Sequence, residues 1–264
     1  MKTALITGAS AGIGETFAQE LAARKTNLVL VARSEDKLHK LANQLQSQYQ
    51  IQTDVIVQDL TTPAAANSLF EAIAEKQLII DLLVNNAGFG DYGSFAKRPL
   101  EKQVNMIQLN ITTLVELTHL FLPGMQQRQS GAIINVSSIG GFQPIPYMSV
   151  YAATKAFVLS FSEALWAENR DSGVKILALC PGPTESNFFQ RAEFPDSSKA
   201  IPNQQFTSAE EVVKDALKAL EKNQSNVVTG GLINQVIVNS SRFLPRDTLV
   251  SAVAKQFKNI DNNK

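Results

Sequence analysis

The run Thr3-Ala4-Leu5-Ile6-Thr7-Gly8-Ala9-Ser10-Ala11-Gly12-Ile13-Gly14 decides the architecture. Thr3 to Thr7 reads as a short buried strand, and a helical pattern follows the glycines to about Arg24. Strand, glycine-rich turn and helix form the context in which glycines at this spacing carry meaning. Gly8 permits a tight turn, Gly12 lets the backbone approach a pyrophosphate, and Gly14 lets the helix pack closely on the strand. The helix start supplies free N–H groups and a positive dipole end for phosphates. An ordinary βα turn would also use glycines, but the place of this one favours a dinucleotide site.

Outward from that turn, strands and helices alternate. A strand at Asn27 to Ala32 ends at Arg33-Ser34, and a helix from about Glu35 to Tyr49 carries leucines at 38, 41 and 45. In a dinucleotide fold the residue at this strand end faces the adenosine ribose. An acidic side chain there selects NAD, whereas a basic one accommodates a 2′-phosphate. Here it is Arg33, with Ser34 as a second donor; the plainer reading is a solvated arginine at a helix start. A third strand, Ile51 to Val57, ends at Asp59-Leu60. Asp59 either meets an adenine amino group or caps the helix that begins near Pro63. A strand at Ile80 to Val84 leads into Asn85-Asn86-Ala87-Gly88, where small residues let the backbone lie against a cofactor and the amides can bridge strands.

Helical stretches at about Pro99 to Gln108 and Asn110 to Arg128 flank Asn110, an amide that weakens a helix unless a kink or an ordered water uses it. A strand at Ala132 to Val136 ends at Ser137-Ser138, and a loop runs to a helix at about Tyr151 to Arg170. The sixth strand, Val174 to Cys180, ends at Pro181-Gly182-Pro183-Thr184. Periodicity vanishes from Glu185 to Thr207, as in a functional or mobile loop. Ser208 and Glu211 form a capping box for a helix to about Lys222. A short strand near Asn226 to Thr229 precedes a poorly patterned tail, 230–264, with an apolar stripe at Leu249 to Phe257. The pattern predicts one α/β domain over residues 1–264: a doubly wound, seven-stranded parallel sheet in order 3-2-1-4-5-6-7, with helices on both faces. A ligand belongs at the carboxyl ends of the strands.

Composition narrows the function. With 24 Lys+Arg against 24 Asp+Glu, the zero net charge offers nothing to nucleic acid or an anionic membrane. No apolar run is long enough to span a bilayer, and no signal-peptide core precedes Thr7. The only histidines, His39 and His119, stand far apart, so no metal site is expected. The single cysteine, Cys180, excludes an intrachain disulfide and fits the cytoplasm.

Tyr151-Ala152-Ala153-Thr154-Lys155 places a phenol and an ammonium on one helix face, one turn apart. A neighbouring ammonium favours the phenolate and lowers the tyrosine pKa, which makes the pair a tunable acid–base catalyst.

Together, Thr7-Gly8-x3-Gly12-x-Gly14, Asn85-Asn86-Ala87-Gly88, Asn110, Ser138, Tyr151-x3-Lys155 and Pro181-Gly182 resemble the short-chain dehydrogenase/reductase family over roughly residues 1 to 230. The resemblance implies an oxidoreductase that moves a hydride between a nicotinamide and a carbonyl or alcohol. It makes Tyr151 the general acid in reduction. Lys155 lowers the tyrosine pKa and binds the nicotinamide ribose, Ser138 holds the substrate oxygen, and Asn110 keeps a water near Lys155. Ser138 is preferred to Ser137 because the family's serine lies thirteen residues before the tyrosine. It further implies cofactor contacts from Gly8, Ser10, Gly12, Ile13, Gly14, Arg33, Ser34, Asp59, Leu60, Asn86, Ala87, Gly88, Tyr151, Lys155, Pro181, Gly182 and Thr184. Some NADP-preferring relatives carry a basic residue just before the second glycine; here it is Ala11, so NADP over NAD rests on Arg33. The substrate loop is expected at about 183–207. Phe89, Phe142, Tyr147, Phe188 and Phe189 suggest an apolar carbonyl or alcohol. By the same resemblance the long helices 110–128 and 151–170 pair into a homodimer or homotetramer. The alternatives are a non-catalytic nucleotide-sensing regulator, which typically lacks the tyrosine or lysine, and a membrane-surface protein using 249–257.

Overall fold

Strand β1 (Thr3–Thr7) is buried on both faces, which is what its unbroken apolar run requires of a strand inside a parallel sheet. The structure is a computed structural model that describes residues 2–194, 206–240 and 243–261. Residues 195–205 of the expected substrate loop, and Arg242 in the tail, lie outside the described residues. β1 pairs in parallel with β2 (Asn27–Ala32) on one side and β4 (Leu82–Asn85) on the other. β3 (Thr53–Val57), β5 (Gly131–Val136), β6 (Val174–Cys180) and β7 (Asn226–Val228) complete the order β3-β2-β1-β4-β5-β6-β7, as the sequence predicts. The strand order reverses between β1 and β4, so a crevice opens there at the carboxyl ends.

Successive side chains feed opposite layers. Ala4 and Ile6 pack with Phe17 and Leu21 of α1 (Gly12–Ala23), Leu38 and Leu41 of α2 (Glu35–Tyr49), and Val212 and Ala216 of α8 (Ala209–Glu221). Leu5, Val29 and Val31 pack with Leu69 of α3 (Ala65–Glu75) and with Leu117 and Phe121 of α5 (Leu114–Gln127). Each fully buried Leu, Ile or Phe contributes about 1.5–3 kcal/mol of transfer free energy, so the two layers fix the sheet as a rigid platform.

The structure departs from the sequence reading in several places. α4 (Leu100–Ile107) runs into α5 through a π-helical turn at Gln108–Thr113, so the two expected stretches are one bent helix with Asn110 in the bend. α3 starts at Ala65, behind Ala64 in the left-handed conformation and without a side-chain cap, so Asp59 does not cap it. Asp59 instead accepts from the Thr61 N–H at 2.9 Å and the Thr61 hydroxyl at 2.8 Å. α6 (Ser149–Glu168) begins two residues early. The expected loop contains a short helix, α7 (Phe188–Arg191), and the tail folds into α9 (Gly231–Ser240) and α10 (Arg246–Asp261). Ser208 caps α8 as expected: the Glu211 N–H donates to its hydroxyl at 3.2 Å.

Candidate active site

The glycine turn is stitched to β4 by Thr7 and Asn86. The Thr7 hydroxyl accepts from the N–H groups of Asn86 and Ala87, each at 3.0 Å, and Asn86 Nδ2 donates to the Thr7 carbonyl at 2.9 Å. One strand over, Asn85 Nδ2 donates to Asn135 Oδ1 at 2.9 Å and to the Thr118 hydroxyl at 3.1 Å, which fixes the ends of β4 and β5. These bonds bring Asn86, Ala87 and Gly88 against the turn. Gly8 and Gly12 adopt positive φ, +66° and +58°, where side chains are disfavoured. At Gly14 a Cβ would lie 2.4 Å from the Gly8 carbonyl oxygen, so only glycine lets α1 start this close to β1.

A cavity of about 920 Å³ runs along the strand ends. One end is walled by Arg33, Ser34, Asp59 and Leu60, and the middle by Gly8, Ser10, Gly12, Ile13, Asn86, Ala87 and Gly88. Ser138, Tyr151, Lys155, Pro181, Gly182 and Thr184 wall the next section. Of the expected catalytic and cofactor-binding residues only Gly14 and Asn110 stand behind the wall. The amides at the start of α1 have no side-chain cap, because Ala11 precedes them. They are therefore free for an anionic group, and a dinucleotide fits the donor set and the two positive-φ glycines.

Asn110 is buried in the π turn, a feature often found at functional sites. Its Nδ2 donates to the Phe89 carbonyl at 3.0 Å and to the Thr154 hydroxyl at 3.1 Å, and its Oδ1 accepts from the Phe89 N–H at 3.2 Å. It thus ties the segment after Gly88 to the helix that carries Tyr151 and Lys155. The Ser138 hydroxyl accepts from the Gly140 N–H at 3.0 Å and lies on the same cavity wall as Tyr151, whose phenol it favours in the charged form. Ser137 is spent differently: its hydroxyl donates to the Lys155 carbonyl at 2.7 Å, which anchors α6. Lys155 Nζ donates to the Val136 carbonyl at 2.8 Å and stands 5.8 Å from the Tyr151 ring centre.

Electrostatics at this pair run opposite to the sequence expectation. Burial pushes the Tyr151 phenol up to about 12, against a smaller lowering by Ser138. Burial likewise pushes the Lys155 ammonium down to about 8. Desolvation is the largest influence on each group, and the phenol keeps its proton at neutral pH. Tyr151 is therefore set as a donor. Burial also lifts the Cys180 thiol to about 12, which leaves it without thiolate reactivity.

Beyond Tyr151 the cavity turns apolar. Phe89, Phe188 and Phe189 line it as expected, with the Phe188 ring centre 5.2 Å from that of Tyr151. Phe142 does not line it; it packs with Leu159, Ala178 and Cys180. Tyr147 also stays behind the wall, at a φ of 68°, its ring 6.1 Å from Tyr92. The sequence reading missed Ile145, Met148 and Arg191, and it missed the far wall formed by Ile237 of α9 with Leu249, Val253 and Phe257 of α10. The spacing 249, 253, 257 is helical, and that stripe was the available signal.

Residues 2–196 match the short chain dehydrogenase family. The chain belongs to that family. This dehydrogenase is 33% identical over 247 residues to a rat (Rattus norvegicus) protein named very-long-chain 3-oxoacyl-CoA reductase, covering 92% of this chain and 75% of that protein. A short-chain dehydrogenase from Sphingobium yanoikuyae, solved in complex with NADPH, superposes with a TM-score of 0.80 at 31% identity, covering 100% of this chain and 96% of the other. The bulky-bulky ketone specific alcohol dehydrogenase from Comamonas testosteroni gives 0.78 at 30% identity, covering 92% of each chain. The dehydrogenase is accordingly an oxidoreductase. Among the described residues no helix is long and apolar enough to cross a membrane.

Proposed function

We propose that this dehydrogenase uses NADPH to reduce a ketone bearing a bulky apolar group. The observation that carries the reading is the position of Ser138, Tyr151 and Lys155, at the junction of a polar limb and an apolar limb of one cavity. The glycine turn and the amides of α1 would hold the pyrophosphate, and Arg33 would meet the 2′-phosphate. NADPH, when bound, supplies the hydride. Ser138 and Tyr151 hydroxyls orient the carbonyl oxygen and stabilise the negative charge that grows there as the carbon accepts the hydride. Tyr151 gives its proton to that oxygen, and the product is a secondary alcohol. Lys155, its ammonium next to the phenol, stabilises the phenolate left behind. Asn110 holds the segment after Gly88 and the catalytic helix in one relative position.

The names of the rat and Comamonas testosteroni relatives both describe large ketone substrates, which agrees with an apolar limb built from Phe89, Phe188, Phe189, Leu249 and Val253. NADPH oxidation measured against 3-oxoacyl thioesters of increasing length, bulky ketones and small ketones tests the reading. Bulky ketones should give the higher kcat/KM; preference for small polar carbonyls would overturn it.

Two further assignments rest on the same reading. Phe157 is exposed on α6, one of the two helices (110–128 and 151–170) expected to pair, and Leu100, Val104 and Ile107 are exposed on α4, which runs into the other; these apolar faces support a symmetric homodimer or homotetramer. A lone, buried, unreactive Cys180 suits the reducing cytoplasm.

A further inference from the structure

We propose that Glu193 is a positioning residue: paired to Arg98 and Lys102, it fastens α7 over the active site and so shapes the apolar limb for a bulky substrate. Asp91, on the loop after β4, is buried and accepts from Arg98 Nε at 2.7 Å, Arg98 Nη2 at 2.5 Å and Gln103 Nε2 at 2.6 Å, with Lys102 Nζ at 2.7 Å. One carboxylate facing two cations leaves an excess positive charge. Glu193, two residues past the end of α7, removes it: Arg98 Nη2 donates to its Oε2 at 2.7 Å and Lys102 Nζ to its Oε1 at 2.5 Å. Hydrogen bonds from Lys102 and Arg98 hold the Glu193 carboxyl below its ordinary range, so it stays charged.

The backbone at Glu193 supports a dedicated role. Its φ is +59°, a conformation that glycine usually supplies after a helix. A glutamate there gives up backbone preference and places a carboxylate between two cations. From this clamp a chain of contacts leads to the catalytic tyrosine. The Tyr92 N–H donates to the Ala192 carbonyl at 2.9 Å, and the Tyr92 ring stacks on Phe194 at 4.5 Å. Phe194 meets Phe189 at 5.1 Å, Phe189 meets Phe188 at 5.5 Å, and Phe188 meets Tyr151 at 5.2 Å. At Gly90, next to Asp91, a Cβ would lie 2.6 Å from Phe188 Cζ, so the Asp91 loop and α7 are fitted to each other.

The inference rests on the ketone-reductase reading for its substrate half, and its test separates the two. Arg191, exposed on α7, is a tryptic site inside the clamped element. Cleavage after Arg191 is followed by mass spectrometry on the full-length, NADPH-saturated protein, for wild type, Glu193→Gln, Glu193→Asp and the neighbouring surface control Glu101→Gln. Loss of two half-exposed ion pairs should speed cleavage in Glu193→Gln by about three- to tenfold. Glu193→Asp should recover part of the protection, and Glu101→Gln should match wild type. Glu193→Gln should raise KM for a bulky ketone by a similar factor, with kcat, NADPH affinity, thermal midpoint and KM for a small ketone unchanged. Wild-type cleavage rates in Glu193→Gln would overturn the clamp. An equal rise of KM for small and bulky ketones, or a lowered thermal midpoint, would reduce Glu193 to a merely structural part. If no ketone is turned over, the reductase reading fails while the cleavage rates still decide the clamp.

Discussion

Replacing Arg33 isolates the choice between NADPH and NADH. Its side chain is 73% exposed and its Nη1 stands 3.7 Å from Asp59 Oδ2. At that distance in water the attraction is about 1 kcal/mol, and an exposed pair retains about 0–1 kcal/mol after side-chain entropy. Asp59 is held by other means. Burial raises its carboxyl, but hydrogen bonds from Thr61 and the charge of Arg33 outweigh that and leave it below the ordinary value. Arg33 can therefore turn to a 2′-phosphate with little loss. A charge-assisted bond is worth about 1.5–3 kcal/mol, and exposure at this rim brings the net gain to about 1–2 kcal/mol, or roughly five- to thirtyfold. Arg33→Ala should lower the NADPH/NADH ratio of kcat/KM by that factor and leave NADH nearly unaffected. Arg33→Asp should abolish or reverse the preference, since the new carboxylate repels the phosphate and accepts from ribose hydroxyls. The assay is kcat/KM for both cofactors with one ketone at one ionic strength, because salt screens an exposed contact. A wild type that prefers NADH, or an Arg33→Ala ratio equal to wild type, would refute the reasoning.

Lys155 makes stability depend on pH. Its folded value of about 8 lies below its ordinary 10.5, so between them the unfolded chain binds more protons and stability rises with pH. The thermal midpoint of the ligand-free protein should climb relative to Lys155→Met from about pH 8 to pH 10, and parallel profiles would contradict this. Gly14→Ala would force a Cβ to within 2.4 Å of the Gly8 carbonyl and 2.5 Å of Asn86 Nδ2. Overpacking of this kind costs about 1–3 kcal/mol, so calorimetry should show a fall of about 2–10 °C together with weaker NADPH binding. Phe157→Asp, next to Phe161 at 5.8 Å on the exposed face of α6, should shift light-scattering mass toward the monomer. A wild type that is already monomeric would remove the oligomer.

The sheet and the polar half of the site were legible because they depend on local rules. A parallel strand buried on both faces must be an apolar run, as in Thr3–Thr7, and the residues just after each run lie at the crevice. Glycines at 8 and 12 announce a turn and the one at 14 a close approach of helix to strand, and Tyr151 and Lys155 share a helix face by spacing alone. The apolar half depends on contacts across the chain. α9 has no charged residue and no capping pattern, so its helix and the wall it forms with α10 come from packing. Phe142 and Ile145 sit in one irregular loop with no period to tell which enters the cavity. Asn110 was odd in a helix, but its π turn becomes intelligible only beside Phe89 and Thr154. The rise of the Tyr151 pKa was missed for the same reason, since it comes from residues that bury the ring, Phe188 among them.

The central claim is that Tyr151 delivers the proton in an NADPH-dependent ketone reduction, and Tyr151→Phe tests it most directly. The substitution keeps the ring that packs on Phe188 and removes only the hydroxyl. Turnover of a bulky ketone should fall by about 10²–10⁴, the usual worth of a positioned general acid. NADPH affinity, measured separately by nucleotide fluorescence, should stay at the wild-type value. Near-normal turnover in Tyr151→Phe would contradict the account.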